Sequence, residues 1–343
     1  MAEKGSTPYK KSFFSNIFSF IISIISIIFP ILMITLGFGG ALIGIRKGAR
    51  TVGSNEFDFG QRGRTLPKDI PNMRDIPFNK DIYMAYWISS AYKLNNKKTD
   101  FLGAILLKWM LQKKITLEKK LESGLFKKGE ESIIILPENE NFDNALELKL
   151  YKMMYEASYD GKLESKEFEK WCRKNYNKIL NWFDEVIDFE TEKLKDEGKI
   201  ILTQKETLKI FKSNIYKVNE SMIDEAVKLK GLKNFLEEFS RIDDKEAIEV
   251  NLWEYYLIFA TILGIADKVA KQFKKLYPEI IENNEYGYTY NDFVFINMIS
   301  YNSMSSAISS KSRAESYSSG GGGFSSGGGG GGSFGSGGGG GGF

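Results

Sequence analysis

The sequence predicts a mostly α-helical protein with small β-hairpins: a single N-terminal transmembrane helix, a winged-helix-like α+β soluble domain and a disordered tail. Three observations carry that expectation. No residue from Phe13 to Ile45 is charged, apolar residues recur at helical spacing through most of 80–300, and from Ser318 the chain is glycine and serine broken only by Phe324, Phe334 and Phe343.

The elements follow in order. Residues 1–12 form a short segment containing Lys4, Lys10 and Lys11. Residues 13–45 exceed the ~20 apolar residues that a spanning helix needs. No water-soluble helix of that length is apolar on every face. Pro30 predicts a kink, and a hairpin about Pro30 is the alternative to a single pass. Gly37, Gly39, Gly40 and Gly44 read as flexibility near the helix end or as a close-packing face. Arg46, Lys47, Arg50, Arg62 and Arg64 outnumber the lysines before the run, which orients the C-terminal side to the cytoplasm.

Residues 46–79 mix glycine, proline and charge without an apolar period and read as a linker. Residues 80–140 read as a first winged-helix-like unit. It has a helix over Asp81–Leu94, a second capped by Thr99-Asp100, and a hairpin made of ITLEKKL and ESIIIL. Residues 141–203 read as a second such unit, with one helix over Asn144–Ala157 and another from Ser165 to about Glu197. Gly198 ends that helix, and KIIL follows as a short strand. In 204–300, Glu220–Phe239 and Asn251–Tyr277 are helical. The uncharged part of the latter is too short to span a bilayer, so it is a buried helix. Residues 301–343 are expected to be disordered, because serine and glycine bury too little surface to offset chain entropy.

Composition narrows the chemistry. The chain has no histidine, which removes the commonest general base and metal ligand. Cys172 is the single cysteine, so no intrachain disulfide forms, and a helix-borne thiol without histidine reads as structural. Neither a phosphate loop nor a nucleophile elbow is present. Lysines and aromatics interleave at FKSNIYK and KKLYPEI, but 44 acids against 47 bases favour amphipathic helices with lysine on the wet face over a nucleic-acid partner.

One stretch can be laid on the calcium loop of an EF-hand: Glu156-Ala-Ser-Tyr-Asp-Gly-Lys-Leu-Glu-Ser-Lys-Glu167. Glu156, Ser158, Asp160, Glu164 and Glu167 would supply hard oxygens, Gly161 the sharp turn and Leu163 the apolar position. The first ligand is Glu in place of Asp, and the third is an uncharged Ser. The competing reading is a helix–turn–helix corner, with Asp160-Gly161 as the turn and Ser165 as the cap. No other cofactor is expected.

The segment Leu252-Trp-Glu-Tyr-Tyr-Leu-Ile-Phe-Ala-Thr-Ile-Leu-Gly-Ile-Ala266, with GLKNFLEEFS before it, resembles the YciQ-like family of predicted bacterial membrane proteins, domain of unknown function 2207. The stretches DGKLESKEFEKW and FLGAILLKWMLQKKITL and the glycine-rich end also resemble that family's cytoplasmic part. The resemblance offers no catalytic residues. It implies an outer β-rich domain before the membrane helix; only a few residues stand there in this chain, so that domain is either missing or supplied by another chain, a separate extracytoplasmic subunit as partner.

Together these readings describe a membrane-anchored, non-catalytic interaction or regulatory module at the cytoplasmic face. Its partners are the lipid bilayer and a protein of unknown identity. Two other readings stay open, a calcium-responsive switch and a membrane-tethered winged-helix DNA binder.

Overall fold

The computed structural model describes residues 49–52, 55–124, 127–138, 141–207, 211–238, 253–276 and 288–318, and among them the chain is mostly helical with two small sheets. Strands β1 (Ala49–Val52) and β2 (Asn55–Asp58) come first, followed by a 3-10 turn at Phe78–Lys80 and helices α1 (Ile82–Ala91) and α2 (Lys98–Leu111). A hairpin of β3 (Thr116–Gly124) and β4 (Lys127–Ile135) leads to α3 (Ala145–Ser158), β5 (Lys162–Leu163), α4 (Ser165–Lys174) and α5 (Tyr176–Asp196). A second hairpin, β6 (Ile200–Thr207) and β7 (Phe211–Val218), precedes α6 (Met222–Glu238), α7 (Trp253–Ile262), α8 (Ala266–Leu276) and α9 (Tyr290–Ser318).

Local chemistry sets many of these ends. Asp81 caps α1 by accepting from the Tyr83 and Met84 amides, and Asn144 caps α3 by accepting from Leu146 and Glu147. The cap of α2 is Lys97, not the expected Thr99-Asp100, and it makes no side-chain bond. Two expected single helices are broken. One bends at Asn175, between α4 and α5, and the other at Gly264, whose φ of 72° lets the chain turn between α7 and α8.

The core is built around α2, where Phe101 to Leu107, Trp109 and Met110 are all buried. Such an all-round apolar helix is stable only with neighbours on every side. Tyr86 of α1 stacks on Phe101 with ring centroids 4.0 Å apart, and Trp182 and Phe183 of α5 complete the aromatic layer. Gly103 lets α7 and α9 approach closely: a Cβ there would lie 3.2 Å from Thr261 Cγ2 and from Asn297 Oδ1.

The winged-helix expectation is corrected by strand pairing. One sheet has the order β3-β4-β5 and the other β1-β2-β7-β6. The first hairpin is completed by β5, which belongs to the second expected unit, with Ile134 opposite Leu163. The second hairpin is completed by β2, which precedes the first unit and pairs parallel to β7, Phe57 opposite Tyr216. Each hairpin therefore takes its third strand from the other half, so 80–140 and 141–203 do not each close a winged-helix sheet. Exposed rows of strand N–H and C=O groups take whichever strand the tertiary fold brings alongside.

The segment read as a linker is part of the fold. It supplies β1 and β2, buries Phe57 and Phe59, and then runs along α6. There the Met73 amide donates to Gly231 O at 3.0 Å, and Asn234 Nδ2 donates to Ile70 O at 2.9 Å. The Tyr256 hydroxyl donates to Arg74 O at 3.0 Å.

The expectation of a single N-terminal transmembrane helix is corrected as well: among the described residues, no helix is long and apolar enough to cross a membrane. The apolar α7 has 10 residues, about 15 Å at helical rise, or half a bilayer core. Residues 13–45, on which that expectation rested, lie outside the described residues, as does the tail beyond Ser318. Residues 301–318, expected to be disordered, are the second half of α9.

Candidate functional site

The 29-residue helix α9 forms despite its serines because its start is capped and one face is buried. Asp292 Oδ2 accepts from the Thr289 amide and hydroxyl at 2.7 Å each, and the Asp292 amide donates back to Thr289 Oγ1. The Thr289-x-x-Asp292 pattern was the sequence signal for this start. Ile296, Ile299, Ser300, Ser303, Met304 and Ala307 are buried against the rest of the fold. The small side chains of that face permit a close crossing, and Ser300 returns its hydroxyl proton to Ile296 O at 2.8 Å.

The other face of α9 carries a second apolar stripe. Val294, Met298, Tyr301 and Ile308, spaced by four, three and seven residues, are between 41% and 47% exposed. These four side chains form one wall of an open cleft of about 1340 Å³. The opposite wall comes from the loop and first turn of α2 at Asn96–Asp100, from Leu180, Asp184 and Ile187 of α5, and from Tyr86 of α1. The α7–α8 turn at Gly264 and Ala266 also lines the cleft. That turn is held by Asn95, whose amide donates to Ile262 O at 2.7 Å and to Asp100 Oδ2 at 2.8 Å.

Three ion pairs within the protein engage most of the charges around the cleft, while Asp100 accepts from Asn95 and Thr99. Lys98 Nζ lies 3.3 Å from Asp184 Oδ1 and 5.0 Å from the centre of the Phe183 ring. Burial lowers the Lys98 pKa, and the Asp184 carboxylate opposes that shift. Lys311 pairs with Glu315 at 4.0 Å and Asp267 with Lys271 at 2.8 Å. The exposed members of this set contribute little to stability. With lysines and acids in nearly equal number along the lining, apolar surface is the cleft's main recognition feature.

The residues proposed for calcium stand elsewhere, and the structure uses them differently. Glu156 pairs with Lys178 at 3.1 Å. The Ser158 hydroxyl donates to Tyr155 O and accepts from the Gly161 amide. Asp160 Oδ1 accepts from the Lys162 amide at 2.9 Å. Glu164 and Glu167 make a capping box at the start of α4: the Glu164 amide donates to Glu167 Oε2 at 3.0 Å and the Glu164 carboxylate accepts from the Glu167 amide. The cap is thus Glu164, one residue before the expected Ser165. Among the described residues, no three carboxylate or thiol groups converge as a metal cage. Cys172 is buried in α4, and desolvation pushes its thiol pKa up. Residues 211–217, the FKSNIYK stretch, form β7 in the middle of a sheet, where Tyr216 stacks on Phe57. Of the KKLYPEI stretch, the part beyond Leu276 lies outside the described residues.

Two buried carboxylates were not legible in the sequence. Glu147, on the inner face of α3, accepts from Trp109 Nε1 and Lys108 Nζ at 2.6 Å each and from the Tyr83 hydroxyl at 3.2 Å. Glu190, on α5, has neither carboxylate oxygen in a hydrogen bond, and its nearest cation, Lys193 Nζ, is 3.5 Å away and also bonded to Asp81. Burial first, then the Asp81 charge, raise the Glu190 pKa to about 7; Lys193 opposes them and Glu197 adds to them.

A raised acid pKa means that the folded state holds the proton more tightly than the unfolded chain. Stability is therefore full below the unfolded value of 4.5 and falls as pH rises towards 7. Glu190→Gln is expected to leave stability nearly unchanged at pH 4.5. At pH 8 it should stabilise by about 2 kcal/mol, raising Tm by roughly 4–8 °C. Thermal melts of both proteins across that range check this; a Tm difference independent of pH would contradict it.

The class of protein defined here is a mostly helical domain with two small sheets and a large open cleft. Residues 207–273 match the family model of the predicted membrane protein (DUF2207) C-terminal domain. The match takes in β7, α6, α7 and most of α8, and supports the resemblance drawn from the Trp253–Ala266 segment; Leu252 itself lies outside the described residues. The family is described as a membrane protein of unknown function. No curated protein matches the chain.

Proposed function

We propose that this YciQ-like domain is a non-catalytic interaction module on the cytoplasmic face of a membrane, and that the cleft beside α9 is its binding surface. The observation that carries the reading is the second apolar stripe of α9 facing a cleft whose ion pairs are internally matched. Large exposed apolar surface rimmed by polar groups marks interaction sites on soluble domains. The family description supports the membrane. A single, buried cysteine and the arginine- and lysine-bearing stretch from Arg46 to Arg64 favour the cytoplasmic side.

The test is a paired comparison. Met298→Glu with Tyr301→Glu places two charges on the stripe at positions already exposed, so Tm is expected to change by less than ~2 °C. A binding partner recovered with the parent chain should be lost by at least tenfold with the double variant. Equal recovery of the same partner by both would reject the cleft as the binding surface.

A further inference from the structure

The three phenylalanines of the glycine-rich tail are not used by anything described so far, and the tail leaves the fold at the cleft. Residue 319 follows the last turn of α9, and the cleft begins at Ser312 and Glu315 of the same helix. From there it runs back along α9 past Ile308 and Tyr301 to Val294. The first apolar side chains that a returning tail meets are those of the exposed stripe.

The distances agree. At helical rise, Ile308 lies about 15 Å from Ser318, Tyr301 about 26 Å and Met298 about 30 Å. Glycine- and serine-rich chain spans ~5–6 Å times the square root of its length. From Ser318 that is about 13 Å to Phe324, about 22 Å to Phe334 and about 28 Å to Phe343. The successive phenylalanines are thus spaced to reach the successive apolar positions of the stripe. The tail also has no charged side chain between residues 316 and 343, so it suits a cleft where three ion pairs engage most of the charges.

We infer that the tail folds back along α9 and seats its phenylalanines in the cleft, so that the chain occupies its own binding surface until a partner displaces it. The inference rests on the reading of the cleft as a binding surface. A short flexible tether gives an effective concentration in the millimolar range, so a contact with a Kd of ~0.1 mM is about tenfold more often closed than open.

The full chain, expressed in cells with a photo-crosslinking p-benzoylphenylalanine at Met298 and separately at Ile308, tests it. Irradiation is expected to give an intrachain link to 319–343, independent of expression level. The variant Phe324→Ser, Phe334→Ser, Phe343→Ser should lower its yield about tenfold. The same crosslinker at Lys162, on the surface strand β5, should give no more tail links than the serine variant does. Equal tail linkage from Lys162, or linkage unaffected by the serines, overturns the inference. Linkage to a separate polypeptide alone, unchanged by the serines, overturns it while leaving the binding surface standing. Linkage to no polypeptide overturns both.

Discussion

Glu147→Ala is expected to destabilise the domain by about 3–5 kcal/mol. The carboxylate is buried and receives three donors: the Trp109 indole, the Lys108 ammonium and the Tyr83 hydroxyl. Its removal leaves the indole of a fully buried tryptophan without an acceptor and strips a half-buried lysine of its counter-ion. Glu147→Gln keeps an acceptor but not the charge and should cost about 1–3 kcal/mol. The double variant Glu147→Leu, Lys108→Met removes both charges and should recover much of the loss. Urea denaturation followed by near-ultraviolet circular dichroism of the tryptophans measures all three. A loss below ~1 kcal/mol for Glu147→Ala would mean that the cluster is hydrated and that the buried pair is not a structural hub.

Gly161→Ala is expected to cost about 2–3 kcal/mol. Gly161 has φ of 81°, and an added Cβ would lie 2.8 Å from Leu136 O. That oxygen is backbone and cannot swing aside. The Gly161 carbonyl also accepts from the Leu136 amide at 2.8 Å, at the end of the β4–β5 pairing. Alanine therefore pushes β5 off the sheet that it completes. Gly198→Ala is the control: its φ is 70° but nothing lies within 4 Å, so only the backbone penalty of ~1 kcal/mol applies. Both losses should be the same in chelator and in millimolar calcium. A calcium-dependent difference at Gly161 would support the metal reading of that loop.

The Gly161 case shows how far local signals reach. Glutamate, serine, aspartate, glycine and two further glutamates at calcium-loop spacing are also what a tight turn and a capping box require. The spacing is shared because both chemistries need oxygen ligands around a glycine-permitted turn. In the structure these residues bond to Lys178, to the Lys162 amide and within the Glu164–Glu167 box, the pattern that a turn and a cap require. The same limit applies to α9. Its stripe of Val294, Met298, Tyr301 and Ile308 has helical spacing, yet the serine-rich sequence from residue 301 suggested a tail; Thr289 and Asp292, which cap the helix, were the overlooked signal.

By itself the sequence determined the helical character, most helix positions and the first hairpin, whereas of the second it gave only the start of β6 at Ile200. Asp81, Asn144 and Gly198 act within one turn of chain, and the apolar period over Phe101–Met110 needs no partner to be recognised. Tertiary structure alone decided which strand completes which hairpin. It also made a proline-rich stretch part of the core, buried Glu147 and Glu190, and opened a cleft beside α9. The physical reason is range. A cap or a period is satisfied by neighbours three or four residues away, whereas β2 meets β7, and Gly161 meets Leu136, only through the way the rest of the chain packs around them.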